Sequence, residues 1–379
     1  MPAAPLPFEI RASEETLADL NHRLRAARWP NPAEVGWDRG TESAWLEELV
    51  QYWLDEFDWR KQEAWLHDIL PGQRLRVRDI DLHFSHRPGR GPNPLPLLLL
   101  HGWPSSHMEM HRLVGPLSDP VAYGGSAEDA FDVIVGSIPG HGFSSAPLDP
   151  FFGADEAADC FRDLMVDVLG FDRFAVHGGD RGAFVATGLA HRHAESMVAI
   201  HTSLPMGIPG DPPTGEESSW LANVARWNQE EGGYSAIQGT RPMSLAYGLN
   251  DSPIGLAAWL CEKFRVWSDC EGDPLNCFTR DELLTNVMIY WLSGCFYSSA
   301  RFYWAHRQVP PAAVRPVRID VPTGITLFPK EVMRPPRSAV ERKYRLEYWN
   351  EPERGGHFPA LEEPQVLVEE LRSFFRGRR

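Results

Sequence analysis

Between residues 8 and 70 the apolar positions recur mostly at three- and four-residue spacing, which predicts helix. Ser13 is placed to cap one such helix, with Glu14 and Glu15 in its first turn complementing the helix dipole. Trp45, Leu46, Leu49, Val50, Trp53, Leu54 and Phe57 mark the buried face of another. Over residues 74–86 the period becomes two: Leu75 and Val77 alternate with arginines, then Ile80, Leu82 and Phe84 alternate with polar residues. The phase slips at Arg78-Asp79, as a bulge or a tight turn between strands would require. Gly89 to Pro94 reads as a turn.

A different pattern follows. Leu97–Leu100, Phe131–Val135, Phe174–Val176 and Val198–Ile200 are short apolar runs, with helical stretches such as Ala154–Leu169 between them. Strands of that kind alternating with helices predict an α/β fold with a mostly parallel sheet flanked by helices. From residue 204 the alternation stops. Pro205, Pro209, Pro212 and Pro213 open a helical stretch in which Thr279 and Glu282 form a capping box. Alternation resumes at Ile325–Phe328 and Leu346–Tyr348, and a helix over Pro364–Phe375 closes the chain. The expected organisation is an N-terminal segment, 1–92, a first core part, 93–203, a helical lid, 204–310, and a second core part, 311–379. Such an insertion is placed to cover the C-terminal strand ends, where open α/β sheets bind ligands.

Composition narrows the function. The chain has 379 residues and a formal net charge of −15, which argues against a nucleic-acid partner. The longest apolar run, Leu95–Leu100, is far too short to cross a bilayer, and the N-terminus has no signal-peptide pattern. Five cysteines without C-x-x-C spacing point to reduced thiols in a cytoplasmic protein. A homodimer is compatible with the sequence. His107 and His111 lie four apart, but Glu109 does not complete H-E-x-x-H, so no metal site is expected.

Three signals carry chemistry. Phe174 to Gly182 reads as strand, tight turn and helix, with Gly178 and Gly182 two before and two after Asp180. That is the form of a nucleophile elbow, in which small flanks allow a strained turn that exposes the middle side chain. Taken alone, the pattern fits an ordinary strand-to-helix turn with an Asp cap about equally well. Leu100-His101-Gly102-Trp103-Pro104 follows the first parallel strand, where α/β hydrolases place one oxyanion-hole N–H. The two donors would be the backbone N–H groups of Trp103 and Arg181, since Pro104 has none. His357 follows the last strand in Gly355-Gly356-His357-Phe358, and Glu331 lies beyond the preceding one. Nucleophile, acid and histidine in that order is the hydrolase order. Asp251 could also serve as the acid, but it precedes the last strands.

An aspartate at the elbow changes the reaction. A serine attacking saturated carbon would leave an ether; a carboxylate leaves an ester, which water can cleave at the carboxylate carbon. Asp180 therefore points to displacement at sp³ carbon, with His357 activating water and Glu331 holding the imidazole. An epoxide oxygen needs a proton as its ring opens, which a tyrosine can give; a halide needs only N–H donors. Tyr234 and Tyr303, both in the lid, favour the epoxide.

At this point the chain resembles the microsomal-type epoxide hydrolases, including their soluble bacterial members. The resemblance covers nearly the whole chain. It rests on Pro7-Phe8-Glu9-Ile10 through Arg28-Trp29-Pro30, Tyr52-Trp53, Asp58-Trp59-Arg60, His101-Gly102-Trp103-Pro104 and Pro139 to Ser144. It extends through Gly178-Gly179-Asp180, Leu249 to Pro253, Arg301-Phe302-Tyr303 and Gly355 to Phe358. The resemblance implies an α/β-hydrolase core, an N-terminal meander wrapping core and lid, and no cofactor. It also implies Asp180 as nucleophile, Glu331 and His357 as charge pair, and Tyr234 and Tyr303 as ring-opening acids. Two departures stand out. The family's usual tryptophan after the nucleophile is Arg181 here, which brings a cation beside the pocket or a salt bridge away from it. No counterpart of the microsomal membrane anchor is present, which fits a soluble enzyme. A haloalkane dehalogenase-like hydrolase using the same Asp180, or a catalytically silent binding protein of this fold, are the alternatives. The many lid aromatics suggest a bulky apolar or aromatic epoxide, as detoxification or natural-product tailoring would need.

Overall fold

The computed structural model describes residues 4–30, 36–309 and 317–378. The boundary expected at 310/311 therefore lies outside the described residues, as do 31–35 of the N-terminal helical stretch. The strands are β1 (Leu6–Phe8), β2 (Gly72–Val77), β3 (Ile80–Arg87), β4 (Leu95–Leu100), β5 (Phe131–Gly136), β6 (Phe174–Gly178), β7 (Met197–Thr202), β8 (Ile319–Thr326) and β9 (Tyr344–Asn350). They form one sheet in the order β1-β2-β3-β5-β4-β6-β7-β8-β9. β1, β2, β3 and β5 pair antiparallel in succession, and β5 through β9 pair parallel. This is the mostly parallel α/β sheet the apolar runs predicted, with the antiparallel β1, β2 and β3 added at one edge.

The run of leucines in β4 shows why the sheet sits where it does. Leu97 to Leu100 are all fully buried. Period two sends Leu97 and Leu99 into one core and Leu98 and Leu100 into the other. Each fully buried leucine contributes roughly 1.5–3 kcal/mol. The core of Leu98 and Leu100 is filled by the helices Ala154–Arg162 and Asp180–Arg192, that of Leu97 and Leu99 by the C-terminal helix Pro364–Phe375 and helices that follow β7. Helical order is unbroken past Arg162, but it widens to π-type turns over Asp163–Val168.

The phase slip at Arg78-Asp79 is a tight turn: Val77 pairs with Ile80, and Arg78 adopts φ +55°, as a two-residue hairpin requires. The Ser13 cap forms, its side chain accepting from the Thr16 N–H, and the Thr279–Glu282 capping box is complete. β8 differs from the expected Ile325–Phe328. It starts at Ile319 and ends at Thr326, so Leu327 and Phe328 lie past it. Asp320 and Pro322 break the apolar pattern at its start, and the register against β9 shifts there.

Six α-helices among the described residues lie between β7 and β8, from Gly215 to Gln308. The N-terminal segment is tied to them. Tyr52 donates to Asp281 Oδ1 at 2.8 Å, Thr41 to the Ala258 carbonyl at 2.7 Å, and Arg23 pairs with Asp251 at 2.6 Å. No described helix is long and apolar enough to cross a membrane.

Candidate active site

The elbow forms between β6 and the helix Asp180–Arg192. Asp180 sits at φ +42°, a conformation that L-residues other than Gly, Asn and Asp rarely adopt and that costs energy unless its surroundings fix it. The glycines explain how the chain turns so sharply. A Cβ at Gly178 would lie 2.3 Å from the Gly182 carbonyl carbon, and one at Gly182 would lie 2.3 Å from the Leu100 carbonyl oxygen. A Cβ at Gly102 would lie 2.3 Å from that of Asp180. The loop after β4 and the elbow are therefore in backbone contact. This contact brings the Trp103 N–H to Asp180 Oδ1, to which it donates at 2.9 Å. The Arg181 N–H belongs to the first helical turn, whose N–H groups find no helix carbonyl, and the helix dipole there favours an anion.

The loops after β8 and β9 supply the other half. His357 Nδ1–H donates to Glu331 Oε1 at 2.6 Å, and the Val332 N–H donates to the same oxygen at 2.7 Å. His357 Nε2 lies 3.6 Å from Asp180 Oδ2 and has no hydrogen-bond partner. The His357 backbone is pinned by its N–H to the Trp267 carbonyl at 2.9 Å, and the Trp267 ring packs edge-on against the imidazole at 5.1 Å. Gly356 permits this approach, since a Cβ there would lie 2.7 Å from the Trp267 carbonyl oxygen. Glu331 and His357 are buried, while 17% of the Asp180 side chain stays accessible.

Electrostatics follow from this packing. Burial pushes the Asp180 carboxyl up, but His357, Arg181 and the Trp103 N–H outweigh it and hold it at about 2. Burial pushes His357 down, but Glu331 and Asp180 outweigh that and raise it well above the ordinary histidine range.

Tyr234, from the helix Gly233–Gln238, and Tyr303, from Phe296–Gln308, meet with ring centres 5.6 Å apart. Trp103 stacks on Tyr234 at 5.3 Å and meets Tyr303 edge-on at 5.7 Å. The loop that positions Asp180 thus also seats both tyrosines. The Tyr303 hydroxyl has no hydrogen-bond partner. Burial raises both phenols above their ordinary values, so both stay protonated at neutral pH.

Of the two fates open to Arg181, the structure shows a buried guanidinium with Cζ 3.6 Å from the centre of the Tyr303 ring. Asp251 lies at the surface, paired with Arg23, and is not brought to this cluster. His107 is buried against the rings of His83 and Phe143, and His111 lies 3.3 Å from Glu282.

Two buried groups escape sequence reasoning. Glu109 is buried, and burial together with the charge of Asp180 pushes its carboxyl up to about 7, against Ser105 and His357. Its place between two histidines drew attention to metal spacing instead. Lys263, whose Nζ lies 5.0 Å from the Tyr234 ring centre, stands beside Glu262 and two before Arg265 in the otherwise apolar helix Pro253–Trp267. Nothing in that short charged run sets Lys263 apart as the buried one.

The sheet, the elbow and the residues converging on it define an α/β hydrolase with a carboxylate at the elbow. The profile described as "Epoxide hydrolase N terminus" matches residues 5–110, and that described as "alpha/beta hydrolase fold" matches residues 96–234. The chain is 41% identical to a Stigmatella aurantiaca (strain DW4/3-1) protein named "Putative epoxide hydrolase", over 98% of this chain and 85% of that one. It is 34% identical to "Epoxide hydrolase 1" of Oryctolagus cuniculus, over 97% of this chain and 88% of that one. The crystal structure of juvenile hormone epoxide hydrolase from the silkworm Bombyx mori superposes with a TM-score of 0.89 at 27% identity, covering 99% of this chain and 95% of that one. The Aspergillus niger epoxide hydrolase gives 0.85 at 29% identity, covering 100% and 97%. The chain belongs to the epoxide hydrolase family and is an enzyme of that class.

Proposed function

We propose that this enzyme opens epoxides through a covalent ester on Asp180. The observation that carries the reading is the division of labour between the two oxygens of Asp180: Oδ1 accepts from the Trp103 N–H, and Oδ2 is free to react 3.6 Å from His357 Nε2. Oδ2 attacks a ring carbon, the carbon–oxygen bond breaks, and its electron pair goes to the ring oxygen. That oxygen takes a proton from Tyr303 or Tyr234, whose phenols are held protonated by burial. His357 then takes a proton from water, whose oxygen adds to the ester carbon at Cγ. The resulting oxyanion at Oδ1 is stabilised by the Trp103 and Arg181 N–H groups. Collapse breaks the bond from Cγ to Oδ2 and releases the diol oxygen, which takes the proton back from His357; the carboxylic acid left on Asp180 returns its proton to the tyrosinate, which restores both groups. Glu331 holds the imidazole tautomer and stabilises the imidazolium throughout.

The helices following β7, from Gly215 to Gln308, act as the lid, and their Trp267, Tyr234 and Tyr303 form with Trp103 an aromatic wall suited to a bulky apolar or aryl epoxide. No cofactor enters any step. The test is intact-mass analysis of a His357→Ala variant incubated with aryl and alkyl epoxides. A mass gain equal to the whole epoxide, mapped to Asp180, is expected. Absence of any adduct, with full wild-type turnover of the same compounds, would sink the covalent route.

A further inference from the structure

The two tyrosines of the site each carry a cation on a ring face, and the two cations are not equivalent. Lys263 Nζ lies 5.0 Å from the Tyr234 ring centre and 5.7 Å from that of Trp267. It is buried with its own counterion, Glu262, at 2.6 Å. Arg181 Cζ lies 3.6 Å from the Tyr303 ring centre, with the Phe184 and Phe302 ring centres at 5.6 and 5.8 Å. Arg181 is as deeply buried as Lys263, each 7% exposed. Yet none of the ion pairs among the described residues includes it, and its Nε has no hydrogen-bond partner.

A buried cation without a counterion is costly. The surroundings of Arg181 supply aromatic faces and two histidines, His141 and His306, whose protonation its charge opposes. The carboxylate whose charge acts on it is Asp180, after the Tyr303 phenol and ahead of that of Tyr234; Asp180 Oδ1 already accepts from the Trp103 N–H and its Oδ2 faces His357. That charge vanishes when Asp180 becomes an ester. The ring-oxygen anion is transient, since a tyrosine protonates it. A lasting partner for the guanidinium must therefore arrive with the substrate. A carboxylate matches the planar guanidinium donors.

We propose that Arg181 binds a carboxylate on the substrate, so that this enzyme prefers epoxides bearing an acid group on or next to the ring, of the aryl glycidate kind. The inference rests on the reading of Asp180, Tyr234 and Tyr303 given above. Arg181 lies on the ring of Tyr303, one of the two tyrosines assigned to the epoxide oxygen, so an anion that it holds sits close to the epoxide ring. It also offsets the repulsion that Asp180 and Glu331 would exert on such a substrate. The aromatic wall accommodates the aryl body, and Arg181 the acid.

The test compares kcat/KM for trans-3-phenylglycidate and for its primary amide, which has the same shape without the charge. The wild type is expected to favour the acid by tenfold or more, chiefly through KM. In Arg181→Met the acid-to-amide ratio, taken within the variant so that any general loss cancels, is expected to fall a hundredfold. Arg181→Lys should keep part of the preference. Should Arg181→Met fail to fold, wild-type inhibition decides: 3-phenylpropionate should inhibit at least tenfold more tightly than 3-phenylpropionamide. Turnover of the amide at least as fast as the acid overturns the inference while leaving the epoxide reaction intact, as does an unchanged ratio in Arg181→Met. Failure to open either compound, or any other epoxide, overturns both readings.

Discussion

Glu331 holds His357 by a 2.6 Å hydrogen bond to Nδ1, and this leaves Nε2 as the nitrogen that faces Asp180. The bond fixes which tautomer the imidazole adopts. Glu331→Gln should preserve the shape and lose the charge. We expect kcat to fall by about 10³- to 10⁴-fold, with the ester accumulating because alkylation does not need the histidine. A burst of one epoxide consumed per enzyme, followed by slow turnover, would show it in rapid-quench measurements. A kcat within threefold of wild type would remove Glu331 from the proposed charge pair.

The two half-reactions should respond differently to pH. Alkylation needs Asp180 ionised, and that carboxyl is held at about 2. Its rate should stay flat down to about pH 4. Hydrolysis needs His357 neutral. Glu331 and Asp180 raise His357 in the free enzyme, but the ester removes the Asp180 charge, so the relevant pKa in the intermediate is lower than in the free enzyme. Below it, hydrolysis should lose about tenfold per pH unit. Stopped-flow tryptophan fluorescence separates the two rates. An acid limb on alkylation near neutral pH would contradict the assignment.

Removing a ring-opening proton donor should act on one half-reaction alone. Tyr303→Phe and Tyr234→Phe should each slow alkylation by about 10²-fold. Hydrolysis of a preformed ester should be untouched. An alkylation rate that survives both substitutions would assign the two hydroxyls a packing role.

Much of this arrangement was legible in the sequence, for identifiable reasons. Strands such as β4 announce themselves because a strand buried on both faces has no polar alternation to blur it. The elbow is legible because its glycines are forced by backbone contacts under 2.5 Å, which no other residue allows. β8 was misplaced because Pro322 and a register shift interrupt the pattern that identifies strands. The surroundings of Arg181 could not be read, since Phe302 and Tyr303 approach it only once the helix Phe296–Gln308 is packed against the elbow helix that carries Arg181 and Phe184. Glu109 was hidden for a similar reason: its burial comes from how the short helix His107–Met110 packs into the fold, which its sequence neighbours do not show.

The nesting of the elbow against the end of β4 can be measured through its glycines. Gly182→Ala places a Cβ 2.3 Å from the Leu100 carbonyl oxygen, which is backbone and cannot swing aside. Gly215→Ala makes the same chemical change where nothing lies within 4 Å, at the first position of the helix Gly215–Glu230. In urea unfolding the first should destabilise by about 3 kcal/mol or prevent folding, and the second should stabilise by about 0.4–1 kcal/mol. Equal effects would mean that the elbow is not as tightly nested as described.

The central claim is that the oxygen delivered to the epoxide comes from Asp180 and not directly from water. A single turnover in H₂¹⁸O, with enzyme in excess over epoxide, tests it most directly. The account predicts an unlabelled diol and one ¹⁸O atom in the Asp180 peptide by mass spectrometry. A diol labelled in its first turnover, with Asp180 unlabelled, would mean that water attacks the ring itself and that no ester forms.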